Sequence, residues 1–189
     1  EGVVEMMLDA TQNYARALTK ERLFGWHACL FPSGLSGMQR IDVGRWRPPE
    51  AGPMQVVSGP IGRERIHYEA PAAVRLEGEM SAFLEWFSRS TDDPVLRAGI
   101  AHFWFVTIHP FEDGNGRVGR ALSELALAQD VQGSQRIWSL SQQIMNDRSG
   151  YYEQLQAATS SDTLDVTPWV VWFVACIERA AQAALKQMQ

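Results

Sequence analysis

Cysteine is nearly absent. Cys29 and Cys176 sit far apart and outside any CxxC spacing, so neither a disulfide framework nor a thiolate zinc site is available. That usage fits a cytoplasmic compartment. Histidine is scarce as well, and His27, His67 and His102 show no ligand spacing with another His, Cys or carboxylate motif, which argues against a metal hydrolase. Positive charge is in deficit. Seventeen Lys and Arg face 22 Asp and Glu, a net charge of −5, and this argues against a nucleic-acid partner held on a basic surface. The longest apolar stretch, Ala98 to Ile108, falls far short of the roughly 18–20 residues of a membrane span. No membrane partner and no secretion signal are expected.

What is present suffices for one core. The 189 residues are 46% hydrophobic, with seven Trp and eight Phe, which suggests one domain, with at most a small appendage, and excludes disorder. Val3 to Leu18 has apolar residues near a 3.6 period and predicts a helix. Thr19 is placed to cap a second, ending at Phe31-Pro32-Ser33-Gly34. Between residues 32 and 71 lie six of the nine prolines and six glycines, a density that stops helices. Within it, Met54 to Ser58 and Arg65 to Tyr68 are β-prone runs around Gly59-Pro60-Ile61-Gly62, read as an exposed, mobile hairpin. Helical periodicity then returns over Val74 to Phe87. Asp92-Asp93-Pro94 starts another helix, apolar nearly all round to Ile108 and so central and buried. Further helices are predicted at about Arg117 to Asp130, Ser141 to Thr159 with a break near Ser149-Gly150, and Pro168 to Lys186. The expected fold is mainly α with one inserted hairpin, divided into N-terminal helices (1–30) and a core (31–189).

Chemistry concentrates in residues 109 to 120, His-Pro-Phe-Glu-Asp-Gly-Asn-Gly-Arg-Val-Gly-Arg. Gly114-Asn115-Gly116 directly precede a helix, so successive N–H groups can form a nest for anionic oxygen. Arg117 and Arg120, three apart on its first turn, share a face at the positive end of the helix dipole. Two arginines, a dipole and a nest suit a polyphosphate better than a single phosphate. Asp113 beside them is placed to hold Mg²⁺, which binds through one or two carboxylates plus phosphates and water. His109, with an ordinary pKa near 6.5, suits a general base. Phe111 should point inward and anchor the loop. Each feature alone has a plain alternative: a His at a helix end is most often a cap or core residue, a Gly-Asn-Gly turn is usually only a turn, and Arg120 could pair with Glu124. The ordered set within one segment is the signal.

That set resembles the signature of the Fic (Fic/Doc) family, His-x-Phe-x-Asp/Glu-Gly-Asn-Gly-Arg-x-x-Arg, and His109 to Arg120 meets every defined position. The hairpin region and the run Arg148-Ser-Gly-Tyr-Tyr-Glu-Gln-Leu155 also resemble family members. The resemblance implies a helical bundle with a β-hairpin flap at about 54–69, and transfer of AMP from ATP to a protein hydroxyl. By the same resemblance His109 is the base, Asp113 holds Mg²⁺, Gly114, Asn115, Gly116 and Arg117 engage phosphate, and Arg120 grips the γ-phosphate. Tyr151, Tyr152, Leu155 and Thr159 would line the adenine pocket, although core packing of the tyrosine pair stays open. Met54, Gln55, Val56, Val57, Ser58 and Gly59 would form the flap that docks the target, by strand addition. Glu1-Gly2 resembles the tail of an inhibitory motif found before such a helix, with Glu1 pairing Arg120; an ordinary terminal Glu is the alternative. Removal of AMP, transfer of another phosphate-containing group, and a non-catalytic nucleotide-binding module are the other functional readings. Oligomeric state is open, a homodimer included.

Overall fold

The computed structural model describes residues 1–52, 54–58, 63, 65–132, 140–160 and 165–187. They fall into two compact units, residues 1–54 with 70–134 and residues 55–69 with 135–189. Eight helices and two small hairpins are described, matching the expected class.

In the first unit, α1 (Gly2–Gln12) is shorter than its apolar period predicts. The reason is tertiary. Arg22, buried on α2 (Lys20–Leu30), donates to the carbonyls of Asp9, Asn13 and Arg16 and to the Asp9 carboxylate. A guanidinium that takes those carbonyls satisfies groups a helix end leaves orphaned, so the chain turns away there. Thr19 caps α2 as expected, its hydroxyl accepting the Arg22 N–H at 3.2 Å. The proline-rich stretch that follows carries an unanticipated hairpin of two-residue strands, β1 (Leu35–Ser36) and β2 (Gln39–Arg40). Helix α3 (Leu76–Arg89) buries Leu76, Met80, Phe83 and Phe87 along one face.

Helix α4 (Pro94–Ile108) starts where Asp93 accepts the N–H groups of Val95 and Leu96, with Pro94 at the first position. It packs lengthwise on α5 (Asn115–Val131), which is buried without interruption from Ala121 to Ala128. Between them His102 is fully buried, its Nδ1 3.3 Å from the Ser123 hydroxyl. Burial, aided by the Arg120 charge, pushes its pKa down to about 3. Because the unfolded imidazole takes its proton near pH 6.5, the unfolded chain binds the extra proton first as pH falls. Stability present above pH 6.5 is therefore lost towards pH 3, by up to about 1.4 kcal/mol per pH unit. Denaturant midpoints measured between pH 7 and 5 should fall, and fall less steeply in His102→Gln.

The second unit holds the antiparallel hairpin β3 (Gln55–Ser58) and β4 (Arg65–Glu69), with an irregularity in register between Val56 and Val57. It also holds α6 (Leu140–Asn146), α7 (Arg148–Ser160) and α8 (Thr167–Gln187). The break expected near Ser149-Gly150 lies instead between Asn146 and Arg148. Asp147 sets it, accepting the Gly150 N–H at 3.2 Å and the Trp172 indole N–H at 2.8 Å. Trp169 and Phe173 are fully buried there, and Tyr151 rests edge-on against Trp169. Among the described residues no helix is long and apolar enough to cross a membrane.

Candidate active site

The end of α4 and the start of α5 present the 109–120 segment as one tight loop. His109 closes α4 in the left-handed region (φ 51°, ψ 57°), a conformation non-glycine residues rarely adopt. Its Nδ1 lies 3.1 Å from the Val106 carbonyl, which can only accept, so Nδ1 carries the proton and Nε2 keeps its lone pair. Burial, aided by the nearby Arg47 charge, lowers the imidazole from the ordinary value to about 4, against the opposing pull of Asp113. It is a free base at neutral pH.

Phe111 points inward as expected, fully buried and stacked on His27 at 4.1 Å between ring centroids. Asn115 is 2% exposed, and its side chain is fully engaged by the loop itself. Its Oδ1 accepts the Phe111 N–H at 3.0 Å and its Nδ2 donates to the Phe111 carbonyl at 2.8 Å. Only the Asn115 backbone N–H is thus left to face an anion, with those of Gly116 and Arg117 in the first turn, where helices leave donors without internal partners. Gly114 supplies the N-cap at φ 86°, and a Cβ there would meet the Phe31 ring at 2.9 Å. Both facts demand glycine.

Asp113 accepts the Gly114 N–H at 2.5 Å, the Ser36 hydroxyl, and an ion pair from Arg117 at 3.5 Å. Its side chain remains 45% exposed. The donor set fits Mg²⁺: one open carboxylate beside an anion site is what that ion uses when phosphates and water complete its shell. No cluster of three or more His, Cys, Asp or Glu suited to a metal occurs among the described residues. Arg117 also lies 4.7 Å over the Phe31 ring, and the Arg120 guanidinium lies 3.6 Å from where a Gly116 Cβ would stand. A cleft of about 720 Å³ opens beside Asp113, lined by Ser36, Gln39, Ile41, Pro48, Glu50, Met54 and Glu112.

The first unit thus brings His109, Asp113, Gly114 to Arg117 and Arg120 into one loop and helix turn, with Met54 on the Asp113 cleft. Glu1 is exposed at the N-cap of α1. Beside it, a Cβ on Gly2 would fall 1.7 Å from the Cys29 carbonyl oxygen, so only glycine permits α1 to start against α2. In the second unit, Gln55, Val56, Val57 and Ser58 form β3, while Gly59 lies outside the described residues. Tyr151 and Leu155 are core there; Tyr152 and Thr159 are half-buried, Thr159 donating to the Leu155 carbonyl at 2.8 Å.

Three residues that support the loop were not legible as motifs. His27 accepts the Gly44 N–H at Nδ1 (3.2 Å), so its Nε2 carries the proton and donates to the Asp113 carbonyl at 3.1 Å. Ser36 and Arg47 are the others, holding Asp113 and His109. Their partners lie 62 to 86 residues away along the chain.

Comparison with known proteins converges on one family. The sequence model described as "Fic/DOC family" matches residues 17–127. "Protein adenylyltransferase Fic" of Nematostella vectensis is 34% identical over 118 residues, which is 61% of this chain and 26% of that protein. "Protein adenylyltransferase fic-1" of Caenorhabditis elegans is 33% identical over 93 residues, 48% and 18% of the respective chains. The chain thus aligns with about a quarter or less of these curated relatives' length. A solved Fic family protein from Desulfovibrio desulfuricans G20 superposes with a TM-score of 0.74 at 24% identity, over 98% of this chain and 53% of that one. Fic-1 from C. elegans gives 0.69 at 21% identity, over 99% and 50%. At such identities the structures speak for the fold.

Proposed function

The chain belongs to the Fic/DOC family, and from that premise we propose that it is a protein adenylyltransferase, moving AMP from ATP to a Ser, Thr or Tyr hydroxyl of a target protein. One observation carries the reading. The imidazole of His109 donates its Nδ1 proton to the Val106 carbonyl and keeps its Nε2 lone pair, four residues before an exposed carboxylate and five before the N-cap of the helix whose start would hold the anion.

The residues divide the work. The backbone N–H groups of Asn115, Gly116 and Arg117 hold phosphate oxygens, and the Arg117 and Arg120 side chains neutralise them, Arg120 on the γ-phosphate. Asp113 would hold Mg²⁺, which when bound neutralises phosphate charge that this acidic residue would otherwise repel. His109 takes the hydroxyl proton at Nε2 as the target oxygen bonds to the α-phosphorus. The bond from the α-phosphorus to the oxygen bridging the β-phosphate breaks, and diphosphate leaves. Positioning and charge stabilisation do the rest, with no covalent intermediate on the enzyme. On the second unit, the hairpin of β3 and β4 is the surface offered to an extended target segment. The face of α7 carrying Tyr152 and Thr159, with Tyr151 and Leu155 behind it, is the one offered to adenine.

The test is incubation with Mg²⁺, a cell lysate and ATP labelled at the α-phosphate, followed by mass spectrometry of the labelled protein. An AMP adduct on a hydroxyl side chain is expected. Labelled protein whose adduct is not AMP, or ATP binding with no label transferred, would reject the reading.

Glu1 is the proposed brake, through Arg120, and Gly2 supports it by fixing how α1 begins. Glu1→Gly should raise AMP incorporation several-fold; unchanged incorporation removes the brake and leaves the activity standing.

A further inference from the structure

We propose that Arg47 is a positioning residue for this transfer: its guanidinium, buried beside the loop, holds His109 in the backbone conformation that presents the imidazole. This rests on the adenylyltransferase reading. Arg47 grips the loop at two successive carbonyls. Its Nε donates to the His109 carbonyl at 2.8 Å and its backbone N–H to the Pro110 carbonyl at 2.8 Å. From the far side, Nη2 donates to the Pro71 carbonyl, fixing the guanidinium plane. The residue so held is the one whose left-handed backbone would otherwise relax.

The charge is the telling part. Arg47 is only 2% exposed, no carboxylate pairs with it among the described residues, and its Nη1 is buried without a hydrogen-bond partner. Burial accordingly lowers its own pKa. A buried cation without a counter-ion is a poor way to tie a loop, because a neutral donor would make the same bonds with less desolvation. Beside His109, however, a fixed positive charge has a use. It disfavours the imidazolium and keeps the base in its proton-accepting form, while Asp113 on the same loop pulls the other way.

Arg47→Lys keeps bulk and charge but cannot reproduce the guanidinium's span between the His109 and Pro71 carbonyls; Arg47→Met keeps bulk and removes the charge. AMP incorporation from α-labelled ATP into lysate protein should fall about tenfold in Arg47→Lys and about a hundredfold in Arg47→Met. The loss should appear in kcat, with KM for ATP held within about twofold, because the phosphate groups bind elsewhere on the loop. Separately, the His109 imidazole resonance should titrate at higher pH in Arg47→Met than in the wild-type protein. That measurement needs no turnover, so a wild-type protein that transfers no AMP but shows the titration shift retires the activity and keeps the Arg47 contact. Should Arg47→Met fail to fold, Arg47→Lys decides alone. Wild-type turnover in every variant that folds, or a loss confined to KM for ATP, overturns the proposal.

Discussion

His109→Ala should lower AMP transfer by about 10²- to 10⁴-fold, the range in which a positioned general base contributes, with affinity for ATP unchanged. On the proposed reading the phosphates would be bound by the start of α5 and its arginines, while the imidazole sits at the end of α4. Loss of the base should therefore appear in turnover alone. The pH profile sharpens the test. With an imidazole near 4, kcat/KM should stay level from pH 8 to about 5 and drop only as His109 takes its proton. An ordinary histidine would begin to fail near pH 6.5. Anionic phosphates arriving beside the ring should raise its proton affinity, so the acid limb of kcat, which reports the bound complex, should lie above that of kcat/KM. Unimpaired transfer by His109→Ala would dismiss the base assignment outright.

Asn115→Ala should unfold more readily by about 2–6 kcal/mol, a large share of the roughly 5–15 kcal/mol that holds a domain together. Its amide meets both backbone groups of Phe111 in a buried position. Truncation strands one donor and one acceptor, each at about 1–3 kcal/mol. Asn115→Asp separates stability from ligand binding. Its carboxylate still accepts the Phe111 N–H but no longer serves the carbonyl, and it sets a negative charge behind the helix start, close to the proposed anion nest. It should keep part of the stability and lose most of the ATP affinity. Urea midpoints together with nucleotide titration read both. An Asn115→Ala midpoint indistinguishable from wild type would mean that the loop is held from elsewhere.

Local sequence carried the loop almost completely. His109 to Arg120 is contiguous, several of its bonds join neighbours one to four positions apart, and Phe111 was expected inside and is inside. Thr19 could likewise be read as a cap and Asp92-Asp93-Pro94 as a helix start, because such signals are relations between residues two or three apart. Long-range partners could not be read. Nothing near Gln12 says that α1 stops there; Arg22 says so, from the next helix. The same limit hid His27, Ser36 and Arg47, whose contacts with the loop cross most of the first unit's sequence. It also hid the low proton affinity of His109, which arises from burial and a charge far off in sequence but close in space rather than from residue type. Asn115 was expected in the nest, and its side chain faces inward onto Phe111. Either use of an Asn at a helix start is compatible with the same letter.

A catalytic loop is ordinarily the part of an enzyme that must settle around its ligand. Here Asn115 clamps Phe111, His27 clamps Asp113, and Arg47 clamps His109 and Pro110, all by bonds within the protein. The conformational freedom surrendered in arranging these donors is lost at folding rather than at association. A nucleotide should therefore dock in a single fast phase, and the amide hydrogens of Arg47 and Phe111 should exchange with solvent as slowly as those of the helices on either side.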